Sequence, residues 1–436
     1  MQVKKSAMIL GSVFAMASFS VNAASEINFW HSMEGPLGER VNEIVSDFNQ
    51  KQSDYKINPT YKGAYGESMN AGIAAYRAGQ APDIIQVFEV GTATMMFSKG
   101  AIKPIQEMSE EAGNPIDPKN FVPGIAGYYS EPNGKLASMP FNSSTPVFYY
   151  NKDMFEKAGL DPNSPPKTYA QINEAAKKLK EAGIECGYTT SWPSWVLIEN
   201  FSALHNLPYA TKNNGFDGLD ARIELTKDGF VKHFNYLNQM AKDGTFTYGG
   251  RGDAANALFS SGKCAMFTGS SGSRASFSKN AQFKFGISTL PYYDDVPGAP
   301  QNSVIGGASL WVFNNKSPEV NKGITEFFQY IASPEVAAKW HQDTGYVPVV
   351  KAAYDLTKAS GFYDKNPGTD VPFIQLNVET TDESRGVRLG FLPQIRDIQD
   401  AEMENIFAQK VSVEDGLKNM QERANELLQR FENSNK

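Results

Sequence analysis

LASMPFNSSTPVFYYNK, residues 136–152, begins as a polar stretch just after Gly134 and turns into an aromatic strand ending in Tyr149, Tyr150 and Asn151. Strand formation is favoured where β-branched and aromatic residues accumulate, and Val147 to Tyr150 is such a run. The segment reads as the place where the chain leaves one lobe and enters another. Ser143, Ser144 and Thr145 then face the gap between lobes. A hydroxyl both donates and accepts hydrogen bonds, so this trio can hold a polar ligand without using a charge. Because side chains alternate along a strand, the trio divides: once Ser144 takes the ligand side, its two neighbours turn the other way and lose their claim.

Upstream, INFWHS (27–32), a helix from about Gly35 to Gln50, KINPTYK (56–62), a helix around Met69 to Ala78 and DIIQVFE (83–89) follow in turn. In the first helix Leu37, Val41, Ile44, Val45 and Phe48 share one face. This βαβαβ alternation is the pattern of a parallel sheet covered by helices. Ligands of such sheets sit beyond the carboxyl ends of the strands, which singles out Trp30 to Ser32, Lys62 to Tyr65 and Glu89. Downstream the alternation restarts with a helix over Tyr169 to Ala182, a strand at Cys186, the segment TTSWPSWVLIENF and a helix over Phe230 to Lys242. Ser-Pro-Glu-Val occurs at Ser317 and again at Ser333, each time placing Ser at an N-cap and Pro in the first turn. An amphipathic helix over Val413 to Phe431 closes the chain.

No flexible linker separates the two halves, whereas domains joined in series usually carry one. A chain that crosses between lobes more than once is expected, near Ser144, near Thr268 to Ser270 and near Gly345-Tyr346. The fold class is therefore α/β, with two α/β lobes, a multi-strand hinge and a ligand cleft. Residues 24–143 with 269–345 make one lobe, and residues 144–268 with 346–436 the other.

The first 23 residues carry Lys4-Lys5, an apolar run from Ala7 to about Phe19 and the small-residue site Val21-Asn22-Ala23, the layout of a secretory signal peptide. The run is shorter than the roughly 20 residues that span a bilayer. About 410 residues remain, enough for two cores. The formal charge of −7 becomes −9 when the two lysines are lost, and an acidic chain with scattered cations argues against nucleic acid. The two cysteines, Cys186 and Cys264, start short apolar runs; a disulfide and two buried thiols are equally compatible with the sequence.

NFWHSMEG, PTYKGAYGES, FEVGTATMM, PFNSSTPVFYYNKD, ENFSALHN, NNGFDG, IGGASLWV, WHQDTGYVP and RLGFLPQIR, taken together, resemble the periplasmic sn-glycerol-3-phosphate receptors of ABC importers, relatives of the maltose-binding type. The resemblance covers essentially the whole chain after residue 23. It implies a monomeric periplasmic-binding-protein-like receptor that closes over its ligand, hands it to permease and ATPase subunits of an importer, and uses neither cofactor nor metal. Carried over by motif, Tyr65, Ser144, Ser270, the backbone of Gly307, Tyr346 and Arg396 would hold the phosphate. Glu89, Trp192 and Trp195 would meet the glycerol end. Glycerophosphodiesters such as glycerophosphocholine are implied as further ligands. Two positions depart from the pattern, Pro193-Ser194 between the tryptophans and Leu204-His205, and both bear on the outer pocket.

The residue types suit that assignment. A phosphate ester presents acceptors and needs donors: Arg396 supplies a planar fork, the Ser and Tyr hydroxyls add single donors, and Gly306-Gly307 lets the backbone approach. A carboxylate at Glu89 can accept from vicinal hydroxyls, which places it and Arg396 at opposite ends of the ligand. Trp192 and Trp195, three apart, would share one face of a helical turn and offer stacking surface. The four histidines are far apart without metal-ligand spacing, and GSSGS around Ser270 is neither a nucleophile elbow nor a phosphate loop, so catalysis is the weaker class. A sugar receptor of the same architecture is the main rival.

Overall fold

The computed structural model describes residues 24–98, 100–377 and 380–436; the signal-peptide reading lies outside them. Two mixed sheets organise the chain. The first contains β1 (Ser25–His31), β2 (Tyr55–Tyr61), β3 (Ile84–Phe88), β4 (Ile102–Lys103), β5 (Met139–Ser144) and β11 (Gly306–Phe313), in the order β2-β1-β3-β11-β4 with β5 also on β11. The second contains β6 (Pro146–Asn151), β7 (Cys186–Thr190), β8 (Phe246–Tyr248), β9 (Cys264–Ser270) and β10 (Phe285–Ser288), in the order β10-β6-β9-β7-β8. Only part of each sheet is parallel: β1 pairs with β2 and β3, and β7 with β8 and β9, in parallel. The strands arriving from the other lobe, β11 on β3 and β6 on β9, run antiparallel.

The 136–152 segment divides as its composition suggests. β5 ends at Ser144 in the first sheet and β6 begins at Pro146 in the second, so Thr145 is the crossing residue. Proline at the head of β6 suits this, because a strand's first position is where a missing N–H disturbs pairing least. The other crossings fall later than expected. β9 does not return the chain to the first sheet at 268–270: β10 pairs with β6, and the return lies between Ser288 and Gly306. Nor does Tyr346 open the second lobe. Tyr346, Val347, Val349, Val350 and Ala353 pack with Ile27, Phe29, Phe141 and Trp340 in the core of the first sheet. The physical reason is pairing: each return is fixed by a short strand or loop that finds a partner on the sheet it left.

Helices cover the sheets: α1 (Gly35–Lys51), α2 (Tyr65–Arg77), α3 (Tyr169–Glu181), α4 (Asp228–Lys242), α5 (Pro318–Ile331), α6 (Pro334–Thr344), α7 (Lys351–Ala359), α8 (Leu392–Phe407) and α9 (Val413–Asn435). The Ser317 cap forms, its hydroxyl accepting from Val320 N at 3.2 Å. Ser333 does not cap; its hydroxyl donates back to Tyr330 O at 2.7 Å, because α6 starts one turn after α5 ends. The cysteine question also resolves. Cys186 and Cys264 are register partners on β7 and β9, with Cα atoms 4.5 Å apart, and they form a disulfide. Among the described residues no helix is long and apolar enough to cross a membrane.

Candidate functional site

A cavity of about 480 Å³ lies between the sheets, and Tyr65, Glu89, Ser144, Trp192, Trp195, Ser270, Gly307, Tyr346 and Arg396 all line it. Of the strand-end residues, Ser32, Ala64, Tyr65 and Glu89 reach it. Trp30 does not; its ring carries the Lys62 ammonium 4.0 Å above its centre. Among the described residues no group of three or more His, Cys, Asp or Glu could hold a metal ion.

The wall on the first-sheet side is built from hydroxyls whose orientation is set from behind. Tyr65 opens α2 and stacks on Phe88, with ring centres 5.4 Å apart. Its oxygen accepts from Asn142 Nδ2 at 2.8 Å; Asn142 Oδ1 accepts from Gln86 Nε2 at 2.7 Å, and Gln86 Oε1 from Ser32 N at 2.8 Å. With its oxygen already accepting, the Tyr65 hydroxyl is left to donate. Tyr346 follows the left-handed Gly345 and stacks flat on Trp340. Burial holds both phenols above their ordinary pKa, so both keep their protons. Ser144 pairs in register with Gly306 and Ser143 with Gly307. Ser143 and Thr145 turn away from the cavity, and Thr145 bonds Ser303 instead.

The two glycines of β11 answer to different constraints. A side chain at Gly306 would run into the Trp195 ring at 2.4 Å. Gly307 has φ +85°, and a Cβ there would lie 1.8 Å from Asn142 O, so only glycine fits.

On the second-sheet side, Ser270 ends β9, and its hydroxyl oxygen accepts from Gly272 N at 3.1 Å. Its proton is therefore free to be donated. Trp192 sits just before a wide, π-type helical turn, Trp195–Asn200, with φ +50° and its N–H on Gly252 O at 2.5 Å. Trp195 is buried, and its indole N–H bonds Ile305 O at 3.3 Å. The Pro193-Ser194 departure places Ser194, whose hydroxyl meets Asp400 and also Arg396 O at 3.3 Å, tying the turn to α8. His205 does not line the cavity. Burial pushes its pKa down to about 4, and its ring lies within hydrogen-bond distance of Phe201 O and accepts from Tyr293 N.

The charged centre departs from expectation. Glu89 and Arg396 are not at opposite ends of the cavity: Arg396 Nη2 donates to Glu89 Oε1 at 2.8 Å. Nor does Arg396 lie at the surface. It is 8 % exposed, and Glu199 takes it in a two-pronged grip, Nε to Oε1 at 2.7 Å and Nη2 to Oε2 at 2.8 Å. Burial opposes the charge of Arg396, but the carboxylates of Glu199 and Glu89 outweigh it and hold the guanidinium's pKa above its ordinary value. Burial raises Glu89 to about 7; Arg396 opposes the shift and Glu199 adds to it.

A family description for bacterial extracellular solute-binding proteins matches residues 43–369. The chain belongs to that family. It is 52 % identical, over 97 % of its length and 96 % of the relative's, to the sn-glycerol-3-phosphate-binding periplasmic protein UgpB of Pectobacterium atrosepticum. The Yersinia pestis protein of the same name is also 52 % identical, over 96 % of each chain. In fold, this solute-binding protein is similar to UgpB of Mycobacterium tuberculosis, whose structure holds glycerophosphocholine (TM-score 0.80, 24 % identity, 94 % of this chain and all of that one). It is also similar to maltose-bound MalE3 of T. maritima (TM-score 0.74, 17 % identity, 94 % of this chain and all of that one). Two α/β lobes of the maltose-binding type are thus the fold of this solute-binding protein.

Behind the cavity wall stand three residues that no motif marks as site residues, Asn142, Gln86 and Glu199. Neither Asn142 nor Gln86 touches the cavity, and their only signal is polarity inside strand runs, FNSS and IIQVF. Glu199 left the clearest trace, an acid within the apolar run WVLIENF.

Proposed function

We propose that the protein is a periplasmic receptor that captures sn-glycerol 3-phosphate, and glycerophosphodiesters such as glycerophosphocholine, for delivery to the permease and ATPase of an ABC importer. It performs no chemistry on its ligand. The observation that carries this reading is the donor set in one cavity: the hydroxyls of Tyr65, Ser144, Ser270 and Tyr346 together with Arg396, drawn from both sides of the cleft. Charge-assisted hydrogen bonds contribute about 1.5 to 3 kcal/mol each, so five such contacts support micromolar or tighter binding after the ordering cost. The names of the relatives at 52 % identity support the same ligand class.

In this reading Trp192 and Trp195 face the glycerol carbons or a choline group, and Glu89 takes part at the junction of phosphate and glycerol. A protonated Glu89 donates to a phosphate oxygen while accepting from a glycerol hydroxyl. Calorimetric titration of the Arg396→Ala variant tests the site: heat of binding for sn-glycerol 3-phosphate is expected to vanish, and an affinity equal to wild type would remove Arg396 from it. Competition between phosphate esters and maltose separates this receptor from a sugar receptor of the same architecture.

A further inference from the structure

We propose that Glu199, which does not line the cavity, is the positioning residue of anion recognition, gripping one edge of Arg396 from behind and so holding its opposite corner toward the ligand. This rests on the phosphate-ester reading above and names the residue that makes Arg396 fit for it.

A guanidinium has five N–H donors in a fixed plane. Glu199 takes the Nε donor and one on Nη2, and Glu89 takes the other on Nη2. The two donors that remain are both on Nη1, which has no protein partner among the described residues, and Arg396 is a wall of the cavity. The two-pronged geometry allows only one orientation of the plane, so the choice of free corner is made by Glu199.

Glu199 is itself held. It is 3 % exposed, in the wide turn that also carries Trp195. The Asn200 side chain donates to Trp195 O at 3.0 Å and accepts from Val304 N at 2.9 Å, pinning that turn to the segment that leads into β11. Ser194 joins the start of the turn to α8, on which Arg396 sits. Without Glu199, the only carboxylate hydrogen-bonded to Arg396 among the described residues would be Glu89, just after β3 on the far side of the cleft. The guanidinium fork would then close on that carboxylate instead of presenting a corner to a ligand.

Neutralising Arg396 does not explain a two-pronged grip, since a negative charge at a single contact would serve for that. Electrostatics alone makes the opposite prediction: a second buried negative charge repels an incoming phosphate, so removing it would strengthen binding. The sign of the effect therefore separates positioning from mere charge.

The test is calorimetry with sn-glycerol 3-phosphate on the full mature protein, with thermal melting of each variant as the folding control. Glu199→Gln removes the charge and half of the grip. Glu199→Asp keeps the charge but withdraws the carboxylate by one methylene. Both are expected to bind on the order of tenfold more weakly than wild type, the loss of about one oriented charge-assisted bond. In an Arg396→Lys background, where no planar edge exists to be gripped, Glu199→Gln is expected to cost only a small part of that factor. Affinity unchanged or improved in both single variants, or an equal loss in the Arg396→Lys background, would overturn the proposal. If Glu199→Gln does not fold, Glu199→Asp decides alone. A wild-type protein that binds no phosphate ester would instead sink the receptor reading itself.

Discussion

Glu89 carries its carboxyl at the end of β3, 6 % exposed and within 2.8 Å of Arg396, with Tyr65, Tyr128, Tyr129 and Glu199 close enough to feel its charge. Burial raises its pKa to about 7 from the ordinary 4.5. Between about pH 4.5 and 7 the folded, unliganded protein therefore holds a proton that the unfolded chain has already lost. This group's contribution to stability is present below about pH 4.5 and is lost as pH rises toward 7. A phosphate dianion entering the cavity pushes the same pKa further up. Binding at pH 8 is thus expected to take up protons, read as a dependence of calorimetric heat on the buffer's ionisation enthalpy. Glu89→Gln should abolish that dependence; if the dependence persists, the proton goes elsewhere. Trp192→Ala should weaken glycerophosphocholine at least as much as sn-glycerol 3-phosphate in the same titration, and the reverse ranking would count against a stacking role. The nine cavity residues could be named from motifs, yet the direct contact of Glu89 with Arg396 could not. It depends on α8 bringing residue 396 to residue 89 across a separation of 307 positions, and no local pattern encodes that distance.

At the scale of elements, the meeting of β5 and β11 decides how the backbone reaches the cavity. Gly307→Ala must find room for a methyl 1.8 Å from a carbonyl oxygen, at a φ that alanine rarely adopts. The expected result is a loss of stability of roughly 2 kcal/mol or more, with strain and clash adding, and weakened binding. A melting temperature equal to wild type would show that the strands shift without cost. The disulfide is the other device at this scale. It closes a loop with a separation of 78 positions between neighbouring strands, and removing it by a Cys186→Ser/Cys264→Ser pair should cost on the order of 4 kcal/mol by chain entropy. Chemical denaturation of the reduced or substituted protein measures it. Helices and long strands were legible because their apolar periods are strong: α1, α3, α4 and α9 all fall within a few residues of their expected spans. β10 was not. Four residues, FGIS, are too short to carry a period, and the strand exists because β6 offers it a free edge.

For the whole molecule, the contacts that span the two sheets define what closure means. Arg396 meets Glu89 across the cleft, and Lys279 reaches Glu39 at 3.2 Å. The Tyr128 hydroxyl lies within hydrogen-bond distance of both Glu89 O, at 3.1 Å, and Val387 O, at 2.7 Å. A ligand that touches both walls favours the closed form by its differential affinity for the two forms. Saturating ligand is expected to make the protein more compact in solution scattering, while Arg396→Ala should show no such change. Two lobes were legible from the absence of a linker. The positions of the later crossings were not, because returns near 289–305 and after Ala353 are set by tertiary pairing and not by composition. The central claim, that this cleft holds a phosphate ester, is met most directly by calorimetric titration of ligand-free mature protein with sn-glycerol 3-phosphate and, separately, with maltose. Saturable binding of the phosphate ester at micromolar affinity or tighter, with no heat from maltose, is the predicted result; binding of maltose without binding of the phosphate ester would contradict it.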